Sequence, residues 1–238
     1  MSIYMGIEKF AKNNWKWIAL VITALIIFLV LRTASGSNSE STCKKPKITA
    51  TKASGNEIFC ALKIKDEFRT MPYQRAYFKY ESDIDGDRYW TRAEILLRDS
   101  TVETYEIQRN GKKYVRGGRW FSVYDNKWFL SSDQLQVDHL VPLEEAWNSG
   151  AWNWSDDQLK AFGNDLRRPT LIVSSIDTNQ SKGASDIAEW IPAENICLYA
   201  QMWIVVKYRW TLSIDVAESV ALQSLMRGNC GLLKLDIS

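Results

Sequence analysis

The pattern of hydrophobic and polar positions divides the chain into one apolar run near the N-terminus and a long segment of shorter alternating stretches. Residues 17–31 carry no charge and lie between Lys16 and Arg32. A bilayer-spanning helix needs about 17–25 apolar residues, so this run is short, but both flanking cations can reach the headgroups. We therefore predict an uncleaved membrane anchor over 17–31, preceded by a short tail at 1–16. The small residues at 33–37 keep a cleaved secretory signal as the alternative.

Behind this run, Ser, Thr, Lys and Gly dominate residues 32–56, which predicts a linker to a folded domain at 57–238. Within the domain, the apolar spacing changes from helical to strand-like at residue 101, and Asn110 with Gly111 is a strong hairpin-turn signal. The other patterns predict strands at 135–142 and 170–174, and helices at 92–99, 143–147, 155–162, 186–190, 196–210 and 216–226. A small sheet with several helices makes the fold class α+β.

Composition and charge add little about partners. The chain is 46% hydrophobic and 24% charged, as in an ordinary folded protein. Its formal net charge is only +2, so any nucleic-acid contact must come from local basic clusters. Candidates are the cluster at 112–119 and the arginines Arg92, Arg167 and Arg168. Each of these could instead lie on a solvated face or pair with a nearby carboxylate.

The cysteines indicate the compartment. Cys43, Cys60, Cys197 and Cys230 all follow the apolar run, and their number is even. This usage is typical of a domain exported to an oxidising space and cross-linked by disulfides, with three possible pairings. The chain has no C-x-x-C pair, which argues against a structural zinc site. We predict that the domain lies outside the cytoplasmic membrane, either anchored or secreted.

One segment has the residue types that phosphodiester hydrolysis requires. His139, the only histidine, follows Asp138 at the end of a predicted strand, and Asn179 and Lys182 lie after the next strand. Hydrolysis needs a base near neutral pKa to activate water and a hard divalent cation bound by oxygen ligands. His139 is the candidate base, Asp138 and Asn179 the candidate metal ligands, and Lys182 a candidate phosphate contact.

These residues belong to a longer set of ordered motifs. The set runs from Thr91 to Trp210, within a similarity that spans roughly residues 70–225. Its segments are 91–96, 118–120, 137–147, 149–152, 162–166, 171–173, 179–183, 189–192, 197–200 and 206–210. In this order they resemble the exported branch of the HNH endonuclease family, similar to the C-terminal domain of GmrSD-type restriction enzymes.

The resemblance implies a ββα-metal (HNH) nuclease core with flanking helices and a β-hairpin region, which cuts DNA with a divalent metal ion, Mg or alternatively Mn. It implies His139 as general base, with Asp138 and Asn179 as metal ligands. Asn164 is the nearest candidate for the middle asparagine that orients the histidine. RNA stays open as a substrate. The alternative function is a non-catalytic, membrane-anchored nucleic-acid-binding domain that retains the fold.

Two acidic groups have competing interpretations. Glu145, with Glu144, starts the helix after the Asp138 strand and could be a second acidic group at the metal, or simply a favourable charge at a helix N-terminus. Asp83, Asp85 and Asp87 have the spacing of a calcium loop, but Arg88 stands where the loop needs glycine, which favours a polar turn.

Overall fold

The computed structural model describes Cys43, Pro46 and residues 48–238. The predicted tail, the anchor at 17–31 and the first part of the linker lie outside the described residues. No helix in the described part of the chain is both long enough and apolar enough to cross a bilayer.

The described residues form a mixed α+β architecture, which confirms the predicted fold class. The strands are β1 (Lys52–Ser54), β2 (Lys63–Ile64), β3 (Tyr105–Arg109), β4 (Lys112–Ser122), β5 (Lys127–Ser131), β6 (Leu135–His139), β7 (Leu171–Ser175), β8 (Ser213–Ile214) and β9 (Lys234–Asp236). The helices are α1 (Gly55–Ala61), α2 (Thr91–Asp99), α3 (Leu143–Asn148), α4 (Asp156–Gly163), α5 (Ile176–Lys182), α6 (Ile196–Arg209) and α7 (Val216–Met226).

The centre of the domain is the antiparallel pair β6–β7, in which His139 lies opposite Leu171 and Leu135 opposite Ser175. All five residues of β7 are buried, as the compact apolar run predicts. Helix α5 begins directly after β7, because the Ser175 side chain caps it by accepting from the Thr178 backbone N–H at 3.3 Å. Helix α5 therefore packs back against both β6 and β7.

A three-stranded antiparallel sheet, in the order β3-β4-β5, precedes the β6–β7 pair in the chain. Asn110 and Gly111 form its first turn with φ of 51° and 76°, which confirms the predicted hairpin. Trp120 is fully buried beneath the sheet and donates from Nε1 to the Leu96 carbonyl of α2 at 2.7 Å. Trp120 belongs to the smaller of two hydrophobic cores, which also contains Leu171 and Val173 of β7. Its indole therefore fixes the sheet against α2 and β7.

The main core lies on the other side, around α6 and α7, and contains a buried charge cluster. Lys207 is fully buried and donates to Glu145, to Ser149 Oγ at 2.6 Å and to Glu218 at 3.1 Å. Each charge has a partner of opposite sign, which is the condition for burying it. Cys197 of α6 forms a disulfide with Cys230, and none of the four cysteines, all of which are described, is free.

Two stretches differ from the sequence interpretation. Part of the predicted linker is folded, since β1 pairs antiparallel with β9 near the C-terminus. The predicted helix at 186–190 is wrong: the Asp186 carboxylate accepts from the backbone N–H groups of Ala188 at 2.6 Å and Glu189 at 2.9 Å, which forms a turn. Asp commonly bonds nearby backbone in this way and so competes with helix formation.

Candidate active site

A cleft of about 380 Å³ opens where β6 ends. His139 is the last residue of the β6–β7 ladder, and the chain turns at Pro142 into α3 directly beyond it. Side chains of consecutive strand residues normally point to opposite faces, but at this strand end both Asp138 and His139 reach the cleft. The cleft is lined by Tyr73, Arg75, Val137, Asp138, His139, Pro142, Leu143, Glu144, Asn179, Gly183 and Ala184.

His139 is held by one backbone carbonyl and two aromatic rings. Its Nε2 lies 3.0 Å from the carbonyl oxygen of Gly163, at the end of α4. A carbonyl can only accept, so Nε2 carries the proton and Nδ1 is the acceptor. The ring meets Tyr80 edge-on at 4.9 Å between centroids and stacks near Phe162 at 6.0 Å. Burial lowers the pKa of His139 to about 3, so the imidazole is uncharged at neutral pH.

The carboxylate of Asp138 is bound by the side chains of a lysine and a tyrosine. The Lys182 Nζ lies 3.1 Å from Oδ1 and 2.9 Å from Oδ2, and the Tyr124 hydroxyl donates to Oδ2 at 2.7 Å. Lys182 also donates to the His139 carbonyl at 3.0 Å, and its side chain is fully buried. A carboxylate has about four acceptor positions, so Oδ1 keeps one for a further partner. Lys182 is thus located inside the protein rather than in the open cleft.

Asn179 lies on the same face of α5 as Lys182, one turn earlier. Its Nδ2 donates to Gln136 Oε1 of β6 at 2.8 Å, which directs the amide oxygen away from that contact. Among the described residues, none donates to this oxygen. The side chain of Glu144, exposed in the first turn of α3, also lines the cleft. Asp138, Asn179 and Glu144 therefore offer oxygen donors of the kind that Mg²⁺ prefers.

Asn164 follows the carbonyl that holds His139 but does not itself contact the ring. Its amide accepts from the Thr91 hydroxyl at 2.5 Å and donates to the carbonyls of Lys79 at 3.1 Å and Lys160 at 2.9 Å. These bonds fix the end of α4, and with it the position of the Gly163 carbonyl. The family resemblance implies that an asparagine side chain orients His139. Here the backbone carbonyl of Gly163, the residue before Asn164, contacts the histidine instead.

The remaining predicted residues bind other parts of the protein. Glu145 points into the core, where it accepts from Lys207 and Ser149, while its neighbour Glu144 faces the cleft. The three arginines form internal contacts as follows: Arg92 with the carbonyls of Ser132 at 2.9 Å and Leu135 at 3.0 Å, Arg167 with Asp165 at 3.0 Å, and Arg168 with Asp99 at 2.5 Å. None of these four residues lines the cleft.

Sequence reasoning missed Arg75 and Tyr80. Both lie in or beside the 3-10 turn Arg75–Phe78, and the Arg75 guanidinium carbon is 5.1 Å from the Tyr80 ring centroid. Arg75 is exposed and lines the cleft, so it is the accessible cation there. About sixty residues separate this turn from His139, and no local pattern in the sequence relates the two.

Two groups of acidic side chains have metal-ligand spacing but do not line the cleft. Carboxylate oxygens of Asp83, Asp85 and Asp87 lie within 4.8 Å of one another in a turn where Arg88 has a φ of 79°. Glu145 forms the other group with two further acids, Glu67 and Asp186, and it already has Lys207 as its cation.

Comparison with known proteins shows the family of this chain. The family model described as GmrSD restriction endonucleases, C-terminal domain, matches residues 90–225, which contain Asp138, His139, Asn179 and the whole of β6, β7 and α5. The chain belongs to this family. Membership in the GmrSD C-terminal family makes it a nuclease-like domain.

A fungal relative of this GmrSD-type chain is also known. An uncharacterized secreted protein of Arthroderma benhamiae is 37% identical over 156 residues, which cover 65% of this chain and 74% of the relative. No solved structure matches the chain.

Proposed function

We propose that this protein is an HNH endonuclease that hydrolyses the phosphodiester bonds of DNA with a divalent metal ion, most simply Mg²⁺. The observation that carries the proposal is the position of His139, whose Nε2 is bound to a carbonyl and whose Nδ1 is left as acceptor, beside oxygen donors in a cleft. The order of strand, strand and helix around it supports the ββα-metal class.

In this mechanism His139 Nδ1 accepts a proton from the attacking water, while the Gly163 carbonyl keeps the ring in the required tautomer. Asp138 Oδ1 and Asn179 Oδ1 would hold the metal ion, with Glu144 nearby to bind it or its waters. A bound divalent cation would offset the negative charge that develops on the phosphate. Arg75, the exposed cation of the cleft, would bind the phosphate. The buried Lys182 would hold Asp138 in position through their ion pair.

We further propose that the protein acts outside the cytoplasmic membrane. The likeness to a secreted protein and the disulfide-bonded cysteines support export, because disulfides persist in oxidising compartments. Whether the 17–31 segment anchors the protein or is removed can be measured from the mass and membrane partitioning of the mature chain.

The test is cleavage of supercoiled plasmid by the full-length protein with Mg²⁺ or Mn²⁺, compared with EDTA. We expect the wild type to nick or linearise the plasmid and His139→Ala to lose about 10²–10⁴-fold in rate, the usual contribution of a general base. Lys160→Ala, an exposed change outside the cleft, is the control and should cut normally. A His139→Ala protein that cuts as fast as wild type would remove His139 from the mechanism.

A non-catalytic nucleic-acid-binding domain is the second candidate. The observation that favours it is the Lys182 ammonium, which already neutralises Asp138 where a metal ion would bind. Retention of DNA on a native gel without cleavage, under every divalent metal tried, would support this candidate and reject the first.

A further inference from the structure

The outward side of the β3–β5 sheet exposes both aromatic rings and arginines. We call Tyr114, Arg116, Arg119, Trp128 and Leu130 the outer sheet face. Buried Val115 and Trp120 of β4 lie on the opposite side, and a register shift between Gly117 and Trp120 keeps 114, 116 and 119 outward. Trp128 is 48% exposed and Leu130 69% exposed.

Each ring on this face is accompanied by a guanidinium group. The Arg119 guanidinium carbon lies 4.2 Å from the Trp128 ring centroid, and that of Arg116 lies 6.0 Å from the Tyr114 centroid. Arg116 also pairs with Asp133 at 2.6 Å, but both side chains are exposed, so this pair is weak and a phosphate can replace the carboxylate.

The charge of the sheet contrasts with the near-neutral chain. Residues 105–131 contain six basic side chains: Arg109, Lys112, Lys113, Arg116, Arg119 and Lys127. The segment has only two acidic residues, and both are engaged. Glu106 accepts from the Tyr89 and Thr104 hydroxyls, and Asp125 accepts from Ser122, Ser175 and Thr178. Four of the six, Arg109, Lys112, Arg116 and Arg119, lie on the side of the sheet that carries Tyr114 and Trp128, so the outer sheet face is positively charged.

A groove of about 250 Å³ lies between β4 and α2. It is lined by Lys112 and Arg116 of β4, by Arg92 and by Glu81, among others. Glu81 directly follows Tyr80, whose ring contacts His139. Lys112 and Arg116 therefore lie both at this groove and on the side of the sheet that carries Tyr114.

We propose that the outer sheet face binds single-stranded nucleic acid, a role that rests on the proposed nuclease function. Exposed rings stack on unpaired bases of any sequence, and neighbouring arginines and lysines bind the phosphates. A duplex hides the faces of its bases within the stack, so rings on a sheet favour an unpaired strand. The cleft then cuts strands that the sheet holds.

The test measures binding of a short fluorescent oligothymidylate and of the matching duplex to the full-length protein in EDTA, over a range of salt. We expect tighter binding of the single strand, and about tenfold weaker binding by Trp128→Ala, with Trp128→Phe close to wild type. Arg119→Ala should lower the slope of log K against log salt by about 0.7. Arg227→Ala, a charge-matched change at the exposed position directly after α7, should alter neither.

Three results would overturn the proposal: Trp128→Ala binding the oligonucleotide as wild type does, the duplex binding as tightly as the single strand, or the variants losing binding only to phosphatidylserine vesicles. The last would make the face a membrane surface. Because binding is read in EDTA, it is separate from cleavage. If the wild type binds the oligonucleotide but never cuts DNA, the nuclease proposal is rejected and the binding role of the outer sheet face stands. If binding does not depend on Trp128 but cutting depends on His139, the binding role is rejected and the nuclease proposal stands.

Discussion

At the scale of residues, the site depends on the pair Asp138–Lys182. The ammonium group contacts both carboxylate oxygens and the His139 carbonyl, and the lysine side chain has no exposed surface. A buried ion pair contributes little net energy, but removal of one partner leaves an uncompensated charge. Lys182 therefore keeps Asp138 in place at the edge of the cleft.

We predict that Lys182→Met lowers the free energy of unfolding by about 3–5 kcal/mol, because Asp138 then stays buried without a cation. The double variant Asp138→Asn with Lys182→Met should recover part of this loss, since no charge remains. Urea denaturation of both, with exposed Lys160→Met as the control, measures the effect. Equal stability of Lys182→Met and Lys160→Met would contradict the role assigned to Lys182.

The sequence brought Asp138, His139, Asn179 and Lys182 to notice because their chemistry suits phosphodiester hydrolysis, and the fold brings all four together. It could not identify the Gly163 carbonyl, because a backbone acceptor has no residue type to recognise. The sequence also could not show that Glu145 faces the core and Glu144 the cleft, because two adjacent glutamates have the same chemistry.

At the scale of elements, the end of α4 positions His139, the proposed base. Asn164 ties this end to Thr91 and Lys79, and the Gly163 carbonyl then accepts from His139. Glycine is required here by space: a Cβ at 163 would lie 2.6 Å from the Phe78 carbonyl oxygen and 3.1 Å from the Phe78 Cβ. The position of the histidine thus depends on close contact between α4 and the 3-10 turn.

We predict that Gly163→Ala lowers the free energy of unfolding by about 1–3 kcal/mol and also slows plasmid cleavage, because α4 must move away from Phe78 and carry the carbonyl with it. Gly228→Ala is the matched control, since a Cβ there meets nothing within 4 Å. Thermal unfolding and nicking rates report the two effects. Unchanged cleavage in a measurably destabilised Gly163→Ala protein would show that the carbonyl does not orient the base.

At the scale of the whole molecule, the buried cluster of Lys207, Glu145 and Glu218 joins α3, α6 and α7. Burial works to lower the pKa of Lys207, but the adjacent carboxylates outweigh it and raise that pKa. Burial, with the nearby Glu145 charge, raises the pKa of Glu218 to about 7. Two carboxylates share one cation, so the folded protein retains a proton that the unfolded chain releases.

We predict that the free energy of unfolding falls as pH rises from 4.5, the ordinary pKa of Glu218, to about 7, its value in the fold. In this window the folded state binds more protons, and one proton limits the slope to about 1.4 kcal/mol per pH unit. Glu218→Gln should reduce the slope, and exposed Glu103→Gln should leave it unchanged. Parallel stability curves for Glu218→Gln and wild type would exclude Glu218 as the source.

The sequence by itself determined the α+β class, the Asn110-Gly111 hairpin, most helices and strands, and the candidate residues for hydrolysis, because these depend on local periodicity and side-chain chemistry. Only the tertiary structure decided the turn at Asp186, the pairing of β1 with β9, and the contacts of Asp138 and His139. Those features join segments far apart in the chain, and which distant groups meet depends on packing that no local pattern encodes.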